Sequence, residues 1–177
     1  MSSGCWLMKS EPESFSIDDL KAKRQEPWDG VRNYQARNFM RDDMRVGDKV
    51  FFYHSNCAVP GIAGIARVAT DAYPDPSQFD PHSPYFDPAS TRGKPRWALV
   101  EVKYVRKLKR IISLDELKTH AALADMRLLR KGNRLSVMPV EPAHWQYILA
   151  LETSAPTTTT PPPESTHGQR QRKTPGR

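Results

Sequence analysis

The chain has 177 residues, of which 38% are hydrophobic and 27% are charged, as in a single globular domain with one core. Its longest apolar run, Tyr147 to Leu151, has five residues, too few for a membrane span of about 20 residues or a signal peptide of about 7–15 apolar residues. Two cysteines are too few for a disulfide framework or a cysteine-rich zinc site. We therefore expect a soluble protein of the cytoplasm, or of the nucleus in a eukaryote, without membrane contact.

The net charge of +7 is divided unevenly along the chain. From Thr153 onward there is no Val, Ile, Leu, Met or aromatic residue, so residues 153–177 are predicted to form a disordered, Thr/Pro-rich basic tail after a folded domain of residues 1–152. The tail has four basic residues and one acidic residue, which leaves only +4 for the domain. This mild surplus favours polyanionic partners without identifying one.

The first predicted elements are a buried strand and a short helix. The apolar run from Cys5 to Met8 indicates a strand, and Pro12 restricts the residue before it to extended or turn geometry. Residues 9–11 should therefore project from the strand end, where side chains can meet a ligand. Ser16, followed three residues later by Asp19, resembles a capping box and predicts the start of a helix.

A second helix and two strands follow. Asn33 can cap a helix that extends to about Asp43, and the largely polar surface of this helix is unlike that of a core helix. The β-branched and aromatic run from Lys49 to His54 predicts a central strand. Residues 61–73 predict the next strand, with glycines where bulging or close backbone approach is expected.

The remaining half of the domain begins with six prolines between positions 74 and 95, which predict a long loop. Period-two alternation predicts a strand from Trp97 to Val105, and Ser113 with Glu116 indicates another helix start. A strand from Arg134 to Met138 and a helix opened by Pro142 complete the pattern. Five strands without regular β-α-β alternation predict an α+β protein with a small, largely antiparallel sheet or barrel.

Signatures of catalysis are missing from the sequence. It contains no G-x-S-x-G, H-E-x-x-H, Walker P-loop or strand-linked G-x-G-x-x-G motif, and its histidines lack the spacing of metal ligands. We therefore predict no metal and no cofactor. A nucleophilic pair of Ser10 and His54 stays open, because the sequence does not show whether the side chains meet. A hydrogen-bonded histidine at a strand end is the simpler interpretation.

The richest group of functional residue types lies between positions 28 and 38. It combines aromatic rings that can stack on a base with amides that match a base edge and arginines that reach phosphate. The group consists of Trp28, Arg32, Asn33, Tyr34, Gln35, Arg37 and Asn38, with Lys9, Ser10, Tyr53, His54 and Ser55 at two strand ends. Ordinary packing is the alternative, with Trp28 filling a core edge and Arg37 paired with Glu11 or Asp48.

Three long motifs resemble those of the EVE domain family: W-L-M-K-S-E-P at 6–12, W-D-G-V-R-N-Y-Q-A-R-N at 28–38 and F-F-Y-H-S-N-C at 51–57. Shorter matches at 60–66, 72–75 and 134–140 extend the resemblance over residues 5–152. The resemblance implies a PUA-like β-pseudobarrel of about five or six strands with short surrounding helices. It also implies a pocket that reads modified nucleobases.

Transferred by position, the resemblance implies a base pocket with Trp28 as its aromatic wall or lid. Its rim is expected to hold Asn33, Tyr34 and Arg37, and its polar contacts to come from Lys9, Ser10, His54 and Ser55. Contacts with the nucleic-acid backbone are assigned to Arg32, Arg134, Arg170, Arg172 and Lys173.

We therefore expect a monomeric binding module whose partner is DNA or RNA with a modified base. The alternative is a small hydrolase or nucleoside-modifying enzyme of the ASCH type, in which Lys9, Ser10, Glu11 and His54 supply a nucleophile and an acid or base. A third interpretation is a domain that binds a small molecule or a protein and has no nucleic-acid partner.

Overall fold

The fold consists of short helices around a sheet, and the computed structural model describes residues 4–154. The strands are β1 Cys5–Ser10, β2 Gln25–Pro27, β3 Lys49–His54, β4 Gly61–Val68, β5 Tyr73–Pro74, β6 Ala98–Leu99, β7 Glu101–Ser113 and β8 Val137–Pro139. The α-helices are α1 Ile17–Lys23, α2 Tyr34–Asn38, α3 Leu114–Lys118 and α4 Pro142–Glu152. A π-helix, Phe39–Asp43, continues α2, and short 3-10 helices lie at Pro76–Phe79, Ala121–Leu123 and Arg127–Leu129. Among these described helices none is long and apolar enough to cross a membrane.

Six of the strands form one curled sheet in the order β2-β7-β4-β3-β1-β8. Neighbours pair antiparallel except β1 and β3, which run parallel and align Lys9 with Tyr53 and Ser10 with His54. Shifts of register in the β3–β4 and β4–β7 pairs bend the sheet into a half-barrel. Strands β5 and β6 form a separate two-stranded sheet.

The curled sheet separates two hydrophobic clusters, because successive residues of a strand face opposite sides. On one side Phe52 packs with Met8 and Trp28, in a cluster that also contains the buried residues of α1 and α2. On the other side Phe51 stacks on Trp145 of α4, with 3.7 Å between the ring centroids. Burial on both faces explains why β1 and β3 have unbroken apolar runs rather than alternating ones.

Helix α1 packs tightly against the sheet at Gly64. A Cβ atom at this position would collide with the side chain of Ile17, so glycine permits the close approach. The Ser16 hydroxyl accepts the Asp19 N–H at 3.1 Å, and the Asp19 carboxylate accepts the Ser16 N–H at 2.8 Å. The predicted capping box is therefore confirmed, and it fixes the start of α1 near the ends of β1 and β3.

The predicted α+β class and the central position of β3 are confirmed. Three predicted boundaries are wrong. The strand expected over residues 61–73 ends at Val68, and the last strand begins at Val137, so Arg134 precedes it. The strand expected over residues 97–105 is interrupted at Val100, where the chain leaves β5 for the six-stranded sheet, and it then continues to Ser113. Strand β2 was not predicted, because three largely exposed residues carry no hydrophobic pattern.

Candidate functional site

A cavity of about 700 Å³ opens where the end of β1 meets the loop before α2. Its lining residues come from five separate segments of the chain. They are Lys9, Ser10, Glu11, Ser14, Phe15, Lys23, Glu26, Pro27, Trp28, Asp29, Gly30, Val31, Arg32, Ser55, Tyr85, Arg134 and Ser136. The cavity thus brings together four of the eight predicted pocket residues, Lys9, Ser10, Trp28 and Ser55, and two of the predicted backbone contacts, Arg32 and Arg134.

The ends of β1 and β3 form one wall of the cavity. The Ser55 N–H donates to the Ser10 carbonyl at 2.9 Å, and the Lys9 N–H donates to the Ser136 carbonyl at 2.8 Å. The Ser10 hydroxyl donates to the Phe15 carbonyl at 2.5 Å. The backbone of this wall is therefore held by the sheet, and the side chains of Lys9 and Ser55 are carried on a rigid frame.

Trp28 forms another wall and is also part of the core. Its side chain packs edge-on against Phe52, with ring centroids 5.5 Å apart, and only 8% of the residue is exposed. The backbone N–H of Trp28 donates to the Val100 carbonyl at 2.9 Å. The side chain therefore fills the core, as the packing alternative expects, and also borders the cavity, while its role toward a base stays a prediction.

Tyr85 joins Phe15 and Trp28 among the aromatic residues of the cavity lining, and the sequence did not single it out. It lies in the proline-rich loop, 42% of it is exposed, and its ring covers Gly30. A Cβ atom at Gly30 would lie 2.7 Å from the ring carbons of Tyr85, and Gly30 has a positive φ of 78°. The glycine of the W-D-G-V-R motif therefore meets both a backbone requirement and the close approach of Tyr85.

Arg32 lines the cavity, but all five of its N–H donors bind the protein itself. Two of them reach the Tyr85 carbonyl, at 3.1 and 2.8 Å, and one reaches the Ser77 hydroxyl at 3.0 Å. The other two reach the Val31 carbonyl and the Asp75 carboxylate, each at 3.0 Å. Arg32 would have to give up one of these bonds to contact a phosphate, so its assignment to the nucleic-acid backbone stays a prediction.

The partner of Arg32, Asp75, is fully buried. It also accepts the Gly30 N–H at 2.9 Å and the Ser77 N–H at 2.8 Å. Burial alone would raise the pKa of Asp75, but the hydrogen bonds from Ser77, Gly30 and Arg32 outweigh it and hold the pKa below its ordinary value. A charged Asp75 therefore joins the loop before α2 to the loop that carries Tyr85.

The charges around the cavity nearly cancel. Its four cations are Lys9, Lys23, Arg32 and Arg134, and its three acids are Glu11, Glu26 and Asp29. Burial lowers the pKa of Lys9 below its ordinary value. Burial, reinforced by the carboxylates of Asp75 and Glu26, raises the pKa of Asp29. The wall consequently offers both hydrogen-bond donors and acceptors, with little net charge.

Three predicted rim residues, Asn33, Tyr34 and Arg37, lie outside the cavity lining. The Asn33 side chain caps α2 by accepting the Ala36 N–H at 3.0 Å. Tyr34 stacks on Trp97, with ring centroids 4.8 Å apart and an angle of 21° between the planes. Arg37 donates to the Arg96 carbonyl at 2.6 Å. These residues form a separate surface around Tyr34 and Trp97.

His54 has a structural partner and does not line the cavity. It is buried, and its Nε2 accepts the N–H of Ile17 at 3.1 Å, at the start of α1. Burial lowers the pKa of His54, with the nearby Lys107 acting in the same direction and Asp18 opposing them. The Ser10 hydroxyl donates to Phe15 instead, so the structure does not assemble the Ser10–His54 nucleophilic pair.

The longest basic run of the domain, on β7, is neutralised by acidic partners. Arg106 pairs with Glu152 at 2.7 Å, Lys107 with Asp18 at 3.0 Å and Arg110 with Glu116 at 2.6 Å. These arginines therefore fasten α3 and α4 to the sheet and offer little free charge to a polyanion. The predicted tail contacts Arg170, Arg172 and Lys173 lie outside the described residues.

One group of side chains within residues 4–154 has the composition of a metal site. The ligand atoms of Asp125, Glu141 and His144 lie within 4.8 Å of one another near the start of α4. His144 is hydrogen-bonded to Asp125 at 3.0 Å, and both carboxylates are exposed. The imidazole of His144 thus already has a partner, and α4 packs on the opposite side of the sheet from Trp28.

Comparison with known proteins agrees with the motifs and the fold. Residues 4–151 match the EVE domain. Mouse thymocyte nuclear protein 1 is 46% identical in an alignment 173 residues long, which covers 87% of this chain and 76% of that protein. A Pseudomonas putida crystal structure has 53% identity and a TM-score of 0.81, covering 84% of this chain and 99% of that one. Human THYN1 protein, crystallised in complex with DNA containing 5-methylcytosine, has 46% identity and a TM-score of 0.82, and the match covers 87% of this chain and 100% of that one. The expected PUA-like fold is therefore confirmed.

Proposed function

Since this chain belongs to the EVE domain family, we propose that it binds nucleic acid and holds one modified nucleobase in the cavity beside Trp28. The observation that carries the proposal is the cavity itself, whose wall has an aromatic edge and both kinds of hydrogen-bonding group. The relative crystallised with 5-methylcytosine DNA supports the class of partner.

The size of the cavity suits a nucleotide. Small-molecule sites in proteins occupy about 300–1,000 Å³, and this one has about 700 Å³. A base with a small substituent can therefore enter together with part of its sugar. Trp28 and Tyr85 supply the aromatic borders that a base requires for stacking or edge contact.

The charge of the cavity favours a neutral heterocycle over a phosphate group. A phosphate site needs a clear excess of donors and positive charge, but three carboxylates face four cations here and Arg32 is already saturated. A base edge instead presents donors and acceptors side by side. Lys9 and Ser55 can donate to ring nitrogens or carbonyls, while Glu11 and Asp29 can accept from an exocyclic amine.

The energy balance predicts modest affinity. Flipping a base out of a duplex costs a few kcal/mol, and stacking on an aromatic side chain returns about 1–3 kcal/mol. The cavity hydrogen bonds and contacts with the backbone must provide the rest. We expect binding that weakens with salt and is stronger to single strands than to a duplex of the same sequence.

The test is a fluorescence-anisotropy titration of the full chain with DNA oligonucleotides that differ only in one modified base, 5-methylcytosine or a methylated adenine, with RNA of the same sequence as a second arm. We expect tighter binding to a modified strand and loss of that preference in Lys9→Met, which removes a donor from the wall. Lys118→Met on α3, which does not line the cavity, is the matched control. Equal binding of modified and unmodified strands by the unsubstituted protein, for cytosine and adenine modifications alike, would contradict the proposal.

The compartment follows from the relatives and is part of the proposal. The animal relatives carry the name thymocyte nuclear protein, so we propose nuclear residence as an alternative to the cytoplasm. Fluorescence microscopy of the tagged full chain distinguishes the two. The expected monomeric state stays a prediction, and light scattering with and without an oligonucleotide measures it.

A further inference from the structure

Tyr34 is an aromatic ring placed on the surface rather than in the core. It is the first residue of α2, and 52% of it is exposed, although the neighbouring Trp97 is buried. One face of the Tyr34 ring stacks on Trp97, with centroids 4.8 Å apart. Within residues 4–154 no second aromatic ring covers the other face, so the stack presents a flat, rigid ring to the outside.

Arg37 also contacts this stack through its guanidinium. Its guanidinium is 4.7 Å from the Tyr34 centroid and 5.9 Å from the Trp97 centroid. With Trp97 and Arg37 both in contact, 52% of Tyr34 stays exposed, so part of its ring is open for a planar group.

The surroundings of the stack are positively charged. A shallow groove next to Trp97 is lined by Arg41 and Arg96, with Tyr73 and Pro74. Arg37 donates to the carbonyl of Arg96, which holds the two residues together. Arg41 pairs with Asp42 at 2.7 Å in a half-exposed pair, and Arg96 interacts electrostatically with Asp87. Three arginines and two acids therefore give the region of the Tyr34–Trp97 stack a small excess of positive charge.

The stack is adjacent to the cavity. Arg32, which lines the cavity, has its guanidinium 5.3 Å from the Trp97 centroid and 5.6 Å from the Tyr85 centroid. One side chain thus separates Tyr85 at the cavity from the Tyr34–Trp97 stack. A strand whose base enters the cavity has its neighbouring nucleotides within reach of this surface.

We propose that the outer face of Tyr34 stacks a base next to the one held in the cavity, while Arg37, Arg41 and Arg96 contact the adjoining phosphates. This inference rests on the proposed function, because a strand must occupy the cavity. It places the backbone charge contacts on the Tyr34 surface, whereas the cavity, with little net charge, contacts the modified base.

The test compares Tyr34→Ala and Tyr34→Phe on two single strands that carry the same modified base. One strand has ordinary flanking bases, and the other has an abasic site on each side of the modified base. Base stacking contributes about 1–3 kcal/mol, so Tyr34→Ala should weaken binding to the first strand about 5- to 150-fold. It should leave binding to the abasic strand unchanged, and Tyr34→Phe should bind both strands as the unsubstituted protein does.

Salt dependence provides a second measurement that does not depend on Tyr34. The double substitution Arg41→Ala/Arg96→Ala should lower the slope of log K against log salt by up to about 1.4 on single strands. Lys118→Ala on α3, which lines neither cavity nor groove, should leave the slope unchanged.

The proposal is overturned if Tyr34→Ala binds both strands like the unsubstituted protein, or loses the same factor on the abasic strand. Thermal melting of each variant shows whether a loss of affinity comes from unfolding. If Tyr34→Ala is unfolded, the salt slope of the Arg41→Ala/Arg96→Ala variant tests the proposal instead, and an unchanged slope overturns it. Failure of the proposed function gives a different result. In that case the unsubstituted protein shows no preference for the modified base, whatever bases flank it. If the present proposal is correct, the Tyr34→Ala variant keeps the preference and loses only affinity.

Discussion

Replacement of Trp28 by alanine should affect both the stability of the domain and its binding of a modified base. Only 8% of Trp28 is exposed, and its ring packs on Phe52 in the hydrophobic cluster on that side of the sheet. Truncation of such a buried tryptophan costs about 3–5 kcal/mol of unfolding free energy. Since globular domains have about 5–15 kcal/mol in total, the variant should still fold at low temperature.

The effect on binding should be smaller than the effect on stability. Only 8% of Trp28 is exposed, so we expect the lower end of the stacking range, about 1 kcal/mol, or about fivefold in affinity. Urea denaturation measures the first quantity. Anisotropy titration with a strand containing one modified base, under conditions where the variant is folded, measures the second.

Trp145→Ala is the matched control for this experiment. Trp145 is also buried and stacks on Phe51, but it lies on the other side of the sheet, away from the cavity. It should lose a similar amount of stability and keep its affinity. A loss of less than about 1 kcal/mol of stability in Trp28→Ala would refute the assignment of Trp28 to the core. Equal losses of affinity in the two variants would show that loosening of the domain, and not the cavity wall, causes the effect.

Three further predictions concern pH, backbone geometry and the tail. Because the pKa of His54 is lowered in the fold, stability should fall as the pH decreases from the ordinary histidine pKa of about 6.5 toward the lowered value. The His54→Gln variant keeps an acceptor for the Ile17 N–H at the start of α1. Urea denaturation of this variant should show a weaker dependence of stability on pH. Gly30→Ala should cost about 1–3 kcal/mol, because it strains a positive φ and collides with Tyr85, and thermal melting should show the loss while Gly93→Ala, which has open space around it, shows little. Truncation after Ser154 keeps the hydrogen bond from Arg110 to the Ser154 carbonyl, so the melting temperature should hardly change. The magnitude of the slope of log K against log salt on single strands should fall by up to about 3, because four basic residues are removed. The preference for the modified base should persist. A retained pH profile in His54→Gln, an unaltered melting temperature in Gly30→Ala, or loss of the base preference on truncation would contradict the respective prediction.

The strands that frame the cavity could be predicted because their sequence pattern is local. Cys5 to Met8 and Lys49 to His54 are apolar runs bounded by polar residues, which indicate strands buried on both faces. The capping box at Ser16 is equally local, and it is present in the structure. The parallel pairing of β1 with β3 is not local, yet it is what brings Ser10 beside Ser55 at the cavity wall.

The rim of the cavity was predicted less well, because neighbours in sequence need not share a surface. Residues 28–32 run as an extended loop along the cavity, but the chain turns into α2 once Asn33 caps it. The helix carries Tyr34 and Arg37 to Trp97 instead. Tyr85 could not be assigned from the sequence, because the contact depends on hydrogen bonds between Arg32 and a loop more than forty residues away. The only local signal was an aromatic residue in a proline-rich loop.

In the proposed function, the distribution of charge separates the choice of base from the affinity for the strand. Most cations of β7 are neutralised by acids on α1, α3 and α4, and Arg32 is saturated by Asp75 and the loop around it. These charges hold the frame and are not free to bind phosphate. The cavity wall is nearly neutral, so we expect hydrogen bonds rather than long-range attraction to select the base in the proposed function. Positive charge near Tyr34 is exposed and close to the cavity, which permits contact with any sequence. Because phosphate contacts carry no direct sequence information, such an arrangement holds a strand in place without weakening the choice of base.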